Sequence, residues 1–465
     1  MGQRQNKNYS SIGAIVLDGF VSYMQSNVTP PFMRWAELAA GEGLPEQVKD
    51  QLNPMWEEVT RIGFEMVNAS NFYVMMGENY QDLGIGTGTF IVHEGDDNTP
   101  LIFSIVHPKD ILIHEDLFGR PKIKFVEAKI EACQIKEIWP DAQVGSELHR
   151  KIISNPLEEV EIIYCTYKEK NHYKYLVIYK CDWEIIVNRK MTRDAIVTTR
   201  LGKVPGEPYG RGPIIRSIED LQTYDKGKEY QLISWAFNTF GMYTVADNSV
   251  INPNNMKLQP GMFLKVSNNG TNPSIAPLPG AGNLQNQQIM LGELKQDIEK
   301  TLLNDRLPPE TGAVRSATEY DLRYRTNEST RQPYVSRISY ELVQPVWQNI
   351  VSLMWNKEML PEDLPAEFTN IDNLLTEIRI TSPIAKQQGI VDMNNLMQAL
   401  QAARAMAGEE AVSMAYKLED IPDIIARDTG ITKSLKRSDE ERQQMNEQRQ
   451  AMAMMQEMAN AQLPQ

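Results

Sequence analysis

The side chains that could do chemistry are scattered along this chain. Its five histidines, His93, His107, His114, His149 and His172, form neither an HExxH motif nor a pair four residues apart. A zinc site needs convergent ligands, and these spacings supply none. The acidic pairs Asp96-Asp97 and Glu440-Glu441 sit in loop and helix-surface contexts and read as solvated charge. The three cysteines, Cys133, Cys165 and Cys181, are odd in number and lack CxxC spacing, so reduced thiols are expected. In Gly84-Ile85-Gly86-Thr87-Gly88 the glycines are spaced GxGxG and a strand follows them, which marks a tight turn rather than a dinucleotide loop. There is no GxxxxGK followed by Ser or Thr, since Gly227-Lys228 runs into Glu229, and there is no GxSxG elbow. No catalytic residue, metal or cofactor is assigned, and the chain is not expected to be an enzyme.

Contact with a polyanion is the remaining chemistry. Its candidates are Lys295, Lys300, Arg306 and Arg315, with Lys257 and Lys265 in a segment otherwise nearly free of charge. With 47 basic and 61 acidic residues, the net charge of −14 opposes a broad basic grip on nucleic acid. It does not oppose enclosing DNA loosely. Residues 217–316 carry 10 acidic and 8 basic side chains, so this region is close to neutral while the rest is acidic. In a symmetric ring each such cation would be repeated around the axis.

The elements that must carry these residues divide the chain. At 465 residues it has room for two or three domains. The polar N-terminus and the lack of a run of about 18 apolar residues predict a soluble, intracellular product without a membrane span. Helical spacing is expected over 12–25 and 47–68. The pattern then changes character over 71–92, with polar 79–83 before the glycine turn and a strand over 89–92. Strands are expected at 101–106, 111–113 and 160–167, a helical stretch around 122–138, and a hairpin of 173–180 and 183–188 turning at Cys181-Asp182. From Ser217 long helices take over: Leu221, Tyr224, Leu232, Trp235, Ala236 and Phe240 follow helical spacing, as do Leu291, Leu294, Ile298 and Leu302.

Between those two helices lie residues 242–283. These 42 residues carry three charges, Asp247, Lys257 and Lys265, while 17 of them are Asn, Pro or Gly. Strand-like runs at 242–246 and 262–266 make this a small module held at the tip of two helices. After it, two prolines and a glycine break the chain at 304–312, and Ser316-Ala317-Thr318-Glu319 is a capping box. A long helical region runs to about Leu360 and is expected to kink at Pro333 and Pro345. A strand at 378–381 and helices over 392–418 and 438–461 complete the reading.

The segment Gly206-Glu207-Pro208-Tyr209-Gly210-Arg211-Gly212-Pro213, followed by Asp220-Leu221, resembles the head-to-tail connector (portal) proteins of short-tailed bacteriophages. There a similar G-E-x-Y-G-R segment enters a long helix through an Asp-Leu pair. The later pieces follow the same order, through Glu341-Leu342-Val343-Gln344-Pro345, Leu360-Pro361 and the run from Ile380 to Lys386. The resemblance implies an α+β, portal-type fold: an α/β wing, a two-helix stem, a small β-containing clip, a long kinked helix and a helical crown. On this chain the wing would be 1–216 with 317–400, the stem helices 217–241 and 284–304, and the clip 242–283. The tunnel loop would be 305–316 and the crown 401–465. The chain departs from the family in its short N-terminus and short crown.

The resemblance also implies a homo-oligomer, a dodecameric ring at one capsid vertex, through which double-stranded DNA passes without sequence specificity. Its partners would be the terminase motor, the major capsid and scaffolding proteins, and a tail adaptor. Its place would be the virion, and the host cytoplasm during assembly. Lys295, Lys300, Arg306 and Arg315 become candidates to face the channel, and Lys257, Lys265, Met262 and Phe263 candidates for docking at the clip. Another phage structural ring, such as a tail adaptor, and a nucleic-acid-processing enzyme are the alternatives.

Overall fold

The structure, a computed structural model, describes residues 8–41, 43–96, 98–170, 172–240, 243–245, 268–269, 272–273, 275–277, 284–302, 334, 336–361, 376–381 and 396–406. Helix α1 (Ile12–Asn27) buries Ile12, Val16, Phe20 and Met24, one side chain per turn. After strand β1 (Ala36–Ala40) come α2 (Glu46–Ala69) and α3 (Phe72–Ile85). The sequence pattern sets no helix over 71–83, and α3 corrects that reading. Its Phe72, Met76, Asn79, Tyr80 and Leu83 are buried at helical spacing, and Tyr80 Oη lies 2.8 Å from Thr29 Oγ1. Packing on α1 and on the sheet below outweighs weak local propensity.

That sheet has three antiparallel strands in the order β3–β2–β9, where β2 is Thr87–Glu94, β3 is Leu101–Val106 and β9 is Ile196–Arg200. Phe103 stacks edge-on against Phe72 at 5.2 Å and Phe90 at 5.9 Å, which joins helix to sheet. The Asn71 side chain accepts from the Phe103 N–H and donates to its C=O, like an added strand residue.

A second sheet is a five-stranded antiparallel meander, β4 (Ile111–Glu115), β5 (Pro121–Glu131), β6 (Glu159–Glu169), β7 (His172–Tyr179) and β8 (Glu184–Met191), in that spatial order. Strand β5 replaces most of the helix expected around 122–138; only the short α4 (Gln134–Ile138) remains helical there. β5 pairs along its length with β6, from Ile123–Tyr167 to Glu131–Glu159, so alternation wins over the helical pattern in the same residues. One face packs on α4 and α5 (Ser146–Ser154) through Ile135, Trp139 and Leu148.

Past α6 (Pro213–Arg216), the long helix α7 (Ile218–Phe240) leads into β10 (Tyr243–Val245). Two short strands, β11 (Asn268–Asn269) and β12 (Asn272–Pro273), pair with each other. β13 (Ile275–Pro277) pairs antiparallel with β10, and α8 (Leu284–Thr301) follows. The expected strand at 262–266, the capping box and the helix over 438–461 lie outside the described residues.

Toward the C-terminus, where a kink is expected at Pro345, the structure shows a π-helical turn. Pro345 has no N–H for the Glu341 carbonyl four residues back, and its ring would clash there in a regular α-helix. The chain makes a π-helical turn over Ser339–Val343 instead, with the Gln344 N–H reaching the Ser339 carbonyl, and α9 (Gln344–Asn356) continues from it. β14 (Thr376–Ile380) pairs with β1 in a two-stranded ribbon. Contacts divide the chain into one unit of Met1–Phe32 with Leu38–Ile378 and a second of Met33–Glu37 with Arg379–Gln465. Within the second, the Thr381 N–H donates to the Trp35 carbonyl at 3.0 Å, and 396–406 is helical. The fold class is α+β.

Candidate functional site

Helices α7 and α8 pack on each other and on α1. Ile12, Val16, Tyr224, Leu291, Ile298 and Leu302 form one buried cluster at the base of this pair. Gly227 lies against Leu291, whose Cδ2 would be 2.7 Å from a Cβ at that position. Tyr224 lies near Glu299 while Gly227 lies against Leu291, so the helices run antiparallel. The β10–β13 ribbon joins their far ends. Toward that end the apolar spacing continues but burial does not. Tyr230, Leu232, Ile233 and Trp235 on α7 and Ile289 and Met290 on α8 are all exposed. Large apolar side chains left in solvent along half of a helix pair mark a contact surface.

The start of α7 is held by a backbone clasp. The Gly212 N–H donates to the Ile85 carbonyl at 2.9 Å, and the Gly210 N–H to Thr87 Oγ1 at 2.8 Å. The Tyr209 hydroxyl donates to the Ile111 carbonyl at 3.1 Å. A Cβ on Gly86, Gly210 or Gly212 would come closer than 3.0 Å to the facing backbone. The Gly84–Gly88 turn and the Gly206–Gly212 motif are thus two halves of one close approach, and glycine is required on both sides.

Beside the clasp is a buried ion cluster. Arg200, 1% exposed, reaches both Glu341 oxygens, with Nη2 at 2.7 Å and Nε at 3.2 Å. Its own backbone N–H also donates to Glu341, at 2.9 Å. Nη1 serves Glu115 and the Pro208 carbonyl, and Nη2 also the Gly119 carbonyl. All five guanidinium N–H donors therefore have acceptors. Lys203 Nζ donates to Glu115 at 2.8 Å, and Arg337 joins Glu341 at 3.2 Å. Burial disfavours the Glu115 carboxylate, but hydrogen bonds from Lys203 and Arg200 prevail and hold its pKa below the ordinary range. The cluster ties the β4–β5 hairpin, the end of β9, the glycine motif and the π-helical turn together. It spans 141 residues of sequence from Arg200 to Glu341, and no local pattern announces it.

Of the expected site residues, Lys295 and Lys300 are described. Both lie exposed on α8, and each faces a carboxylate of its own helix, Glu299 at 3.8 Å and Asp297 at 3.6 Å. Five residues apart, they diverge by about 140° around the helix axis, so the structure does not bring them to one face. Arg306, Arg315, Lys257, Lys265, Met262 and Phe263 lie outside the described residues. His93, far from any metal-ligand geometry, has Nε2 2.9 Å from Ser104 Oγ and meets the Tyr164 ring edge-on at 6.3 Å. Among the described residues no group of three or more His, Cys, Asp or Glu side chains is placed to hold a metal ion, and no helix is long and apolar enough to cross a membrane.

What the described surface offers is contact: a two-helix projection bridged by strands, with apolar side chains left outside. The profile of a family described as bacteriophage head to tail connecting protein matches residues 1–436. The chain belongs to that family of structural phage proteins, components of the virion that join head to tail. No curated protein matches it.

Proposed function

We propose that this chain is a portal subunit, one of twelve around a channel at a single capsid vertex. Through that channel DNA is packaged by a docked terminase motor, retained, and later released into the tail. In this reading α7 and α8 are the stem, 242–283 the clip, 1–216 and 317–400 the wing, 305–316 the tunnel loop and 401–465 the crown. The ring assembles with major capsid and scaffolding proteins in the host cytoplasm, and a tail adaptor binds the clip after packaging. Lys257, Lys265, Met262 and Phe263 serve that docking, while Lys295 or Lys300, with Arg306 and Arg315, faces the DNA.

One observation carries the reading. The antiparallel α7–α8 pair continues directly into the β10–β13 ribbon, and its far half leaves six large apolar side chains in solvent. A monomer gains nothing from such a surface, whereas a neighbour packed alongside would cover it. The near-neutral charge of 217–316 suits a lumen past which a duplex must slide.

Negative-stain images of the purified protein, with its mass from light scattering, test this. The expected particle is a ring of about twelve chains with a central hole and a narrow projection. A monomer without rings overturns the proposal, and a flat ring lacking the projection points to a tail adaptor instead.

A further inference from the structure

The five-stranded sheet separates its charges. The half where β5 starts, β6 turns into β7 and β8 finishes (residues 120–124, 167–174 and 188–191) carries eight basic side chains and one acidic. The other half (127–131, 158–161 and 180–184) carries seven acidic and two basic. The net charge of −14 therefore conceals a local excess of cations.

Strand register makes that excess unfavourable within the chain. Lys174 on β7 stands directly opposite Lys190 on β8, and the register that sets Ile123 against Tyr167 brings Lys122 beside Lys168. Like charges facing each other across strands are destabilising. Nearby acids relieve this only in part. Glu169 lies 3.4 Å from both Lys174 and His172, and Asp116 attracts Arg120 and Lys122. Lys168, Lys170 and Lys190 are exposed, and among the described residues none of the three has a carboxylate within 4.0 Å. Lys168 and Lys174 lie 5.7 and 5.9 Å from the ring centres of Tyr173 and Tyr167, which braces them. Lys170, in the turn between β6 and β7, holds a left-handed φ of 54°. Glycine takes that conformation freely, so a lysine there adds charge at a backbone cost.

Lys168 pairs opposite Tyr173 and Lys190 opposite Lys174, so the two leave opposite faces of the sheet. The surface offered is the rim between them, with Lys170 at its tip. All three are point charges without the planar fork that fixes carboxylate geometry. Such an array suits a phosphate backbone held by charge alone, with no base read. We propose that this rim binds the backbone of duplex DNA through Lys168, Lys170 and Lys190, a contact apart from the α7–α8 pair. That the polyanion is duplex DNA rests on the portal reading, in which the chain works beside a packaged genome.

Fluorescence anisotropy of a labelled random-sequence duplex, titrated with the full-length chain between about 50 and 200 mM salt, tests this. Wild-type affinity should fall steeply with salt. Combining Lys168→Gln, Lys170→Gly and Lys190→Gln should lower the slope of log affinity against log salt by about 0.9 for each of the three. The same drop should appear when Lys295→Glu and Lys300→Glu are present in both chains, which separates it from DNA held at α8. Lys170→Gly alone should weaken binding while raising the unfolding midpoint, opposite changes that damage to the fold cannot give.

No duplex binding at the low-salt end, or an unchanged slope in the triple variant, overturns the proposal. So does poly-glutamate that binds as tightly as the duplex. A chain that forms rings yet fails these measurements loses this contact and keeps the portal reading. Lysine-dependent duplex binding by a chain that never forms rings removes the portal reading and keeps the contact.

Discussion

His93 shows what one buried side chain does to this protein's response to pH. Burial, aided by the charge of Arg193, pushes its pKa down to about 4. The unfolded chain takes up a proton near pH 6.5 that the folded chain refuses. The stability this residue contributes is therefore whole above about pH 6.5 and is lost as pH falls from there toward 4, a loss of about 3 kcal/mol. His93→Gln, which keeps a partner for Ser104, should flatten urea midpoints across that window. Parallel wild-type and variant curves would contradict it. Arg200 makes the complementary case. Arg200→Met removes the buried cation that Glu341 and Glu115 share, leaving them Arg337 and Lys203 alone, and breaking a buried pair in this way costs up to about 3–5 kcal/mol. Arg211→Ala removes an exposed pair with Glu207 and should leave the midpoint nearly unchanged. Comparable losses in the two variants would show that the cluster is ordinary surface charge.

At the level of elements, helices whose apolar spacing is also a burial pattern were legible, α1 and α2 among them. β5 was not, because Val126 and Ile130 satisfy helical and strand periods at once, and only pairing with β4 and β6 decides between them. α3 was hidden by its glycines and polar residues, and it exists because α1 and Phe103 cover one side of it. The glycine motif was legible as a resemblance, while its purpose, backbone against backbone at Gly84–Gly88, required the fold. Gly212→Ala should accordingly destabilise by about 1–3 kcal/mol or more, as overpacking does. Gly292→Ala, in open space within α8, should stabilise by about 0.5–1 kcal/mol through helix propensity. Thermal or denaturant midpoints check both signs. On the same helix pair, Trp235→Ser with Ile289→Ser should leave the subunit folded, because both side chains are already in solvent, and should reduce ring formation in light scattering. Rings formed as readily as before would show that these apolar side chains face something other than a neighbour.

At the scale of the whole molecule, in a portal ring as proposed above, the question is how an acidic assembly would handle an acidic polymer. A duplex moving through a channel must not meet base-reading contacts, which would hold it in one register. Sparse cations, repeated by symmetry, give a weak and sliding attraction that salt screens. Lys295 and Lys300 cannot both supply it, since they diverge around α8 and each is partly offset by a carboxylate on the same helix. Charge reversal separates them. Of Lys295→Glu and Lys300→Glu, one should lower the DNA retained in filled heads after nuclease challenge, and the other should match the wild type. Arg306→Glu and Arg315→Glu should act like the first. Ring assembly should be unchanged in the two lysine variants, because neither lysine belongs to the cluster that packs α7 on α8. If every variant assembles and retains the full genome length, these cations do not face the DNA, and retention must come from the shape of the channel.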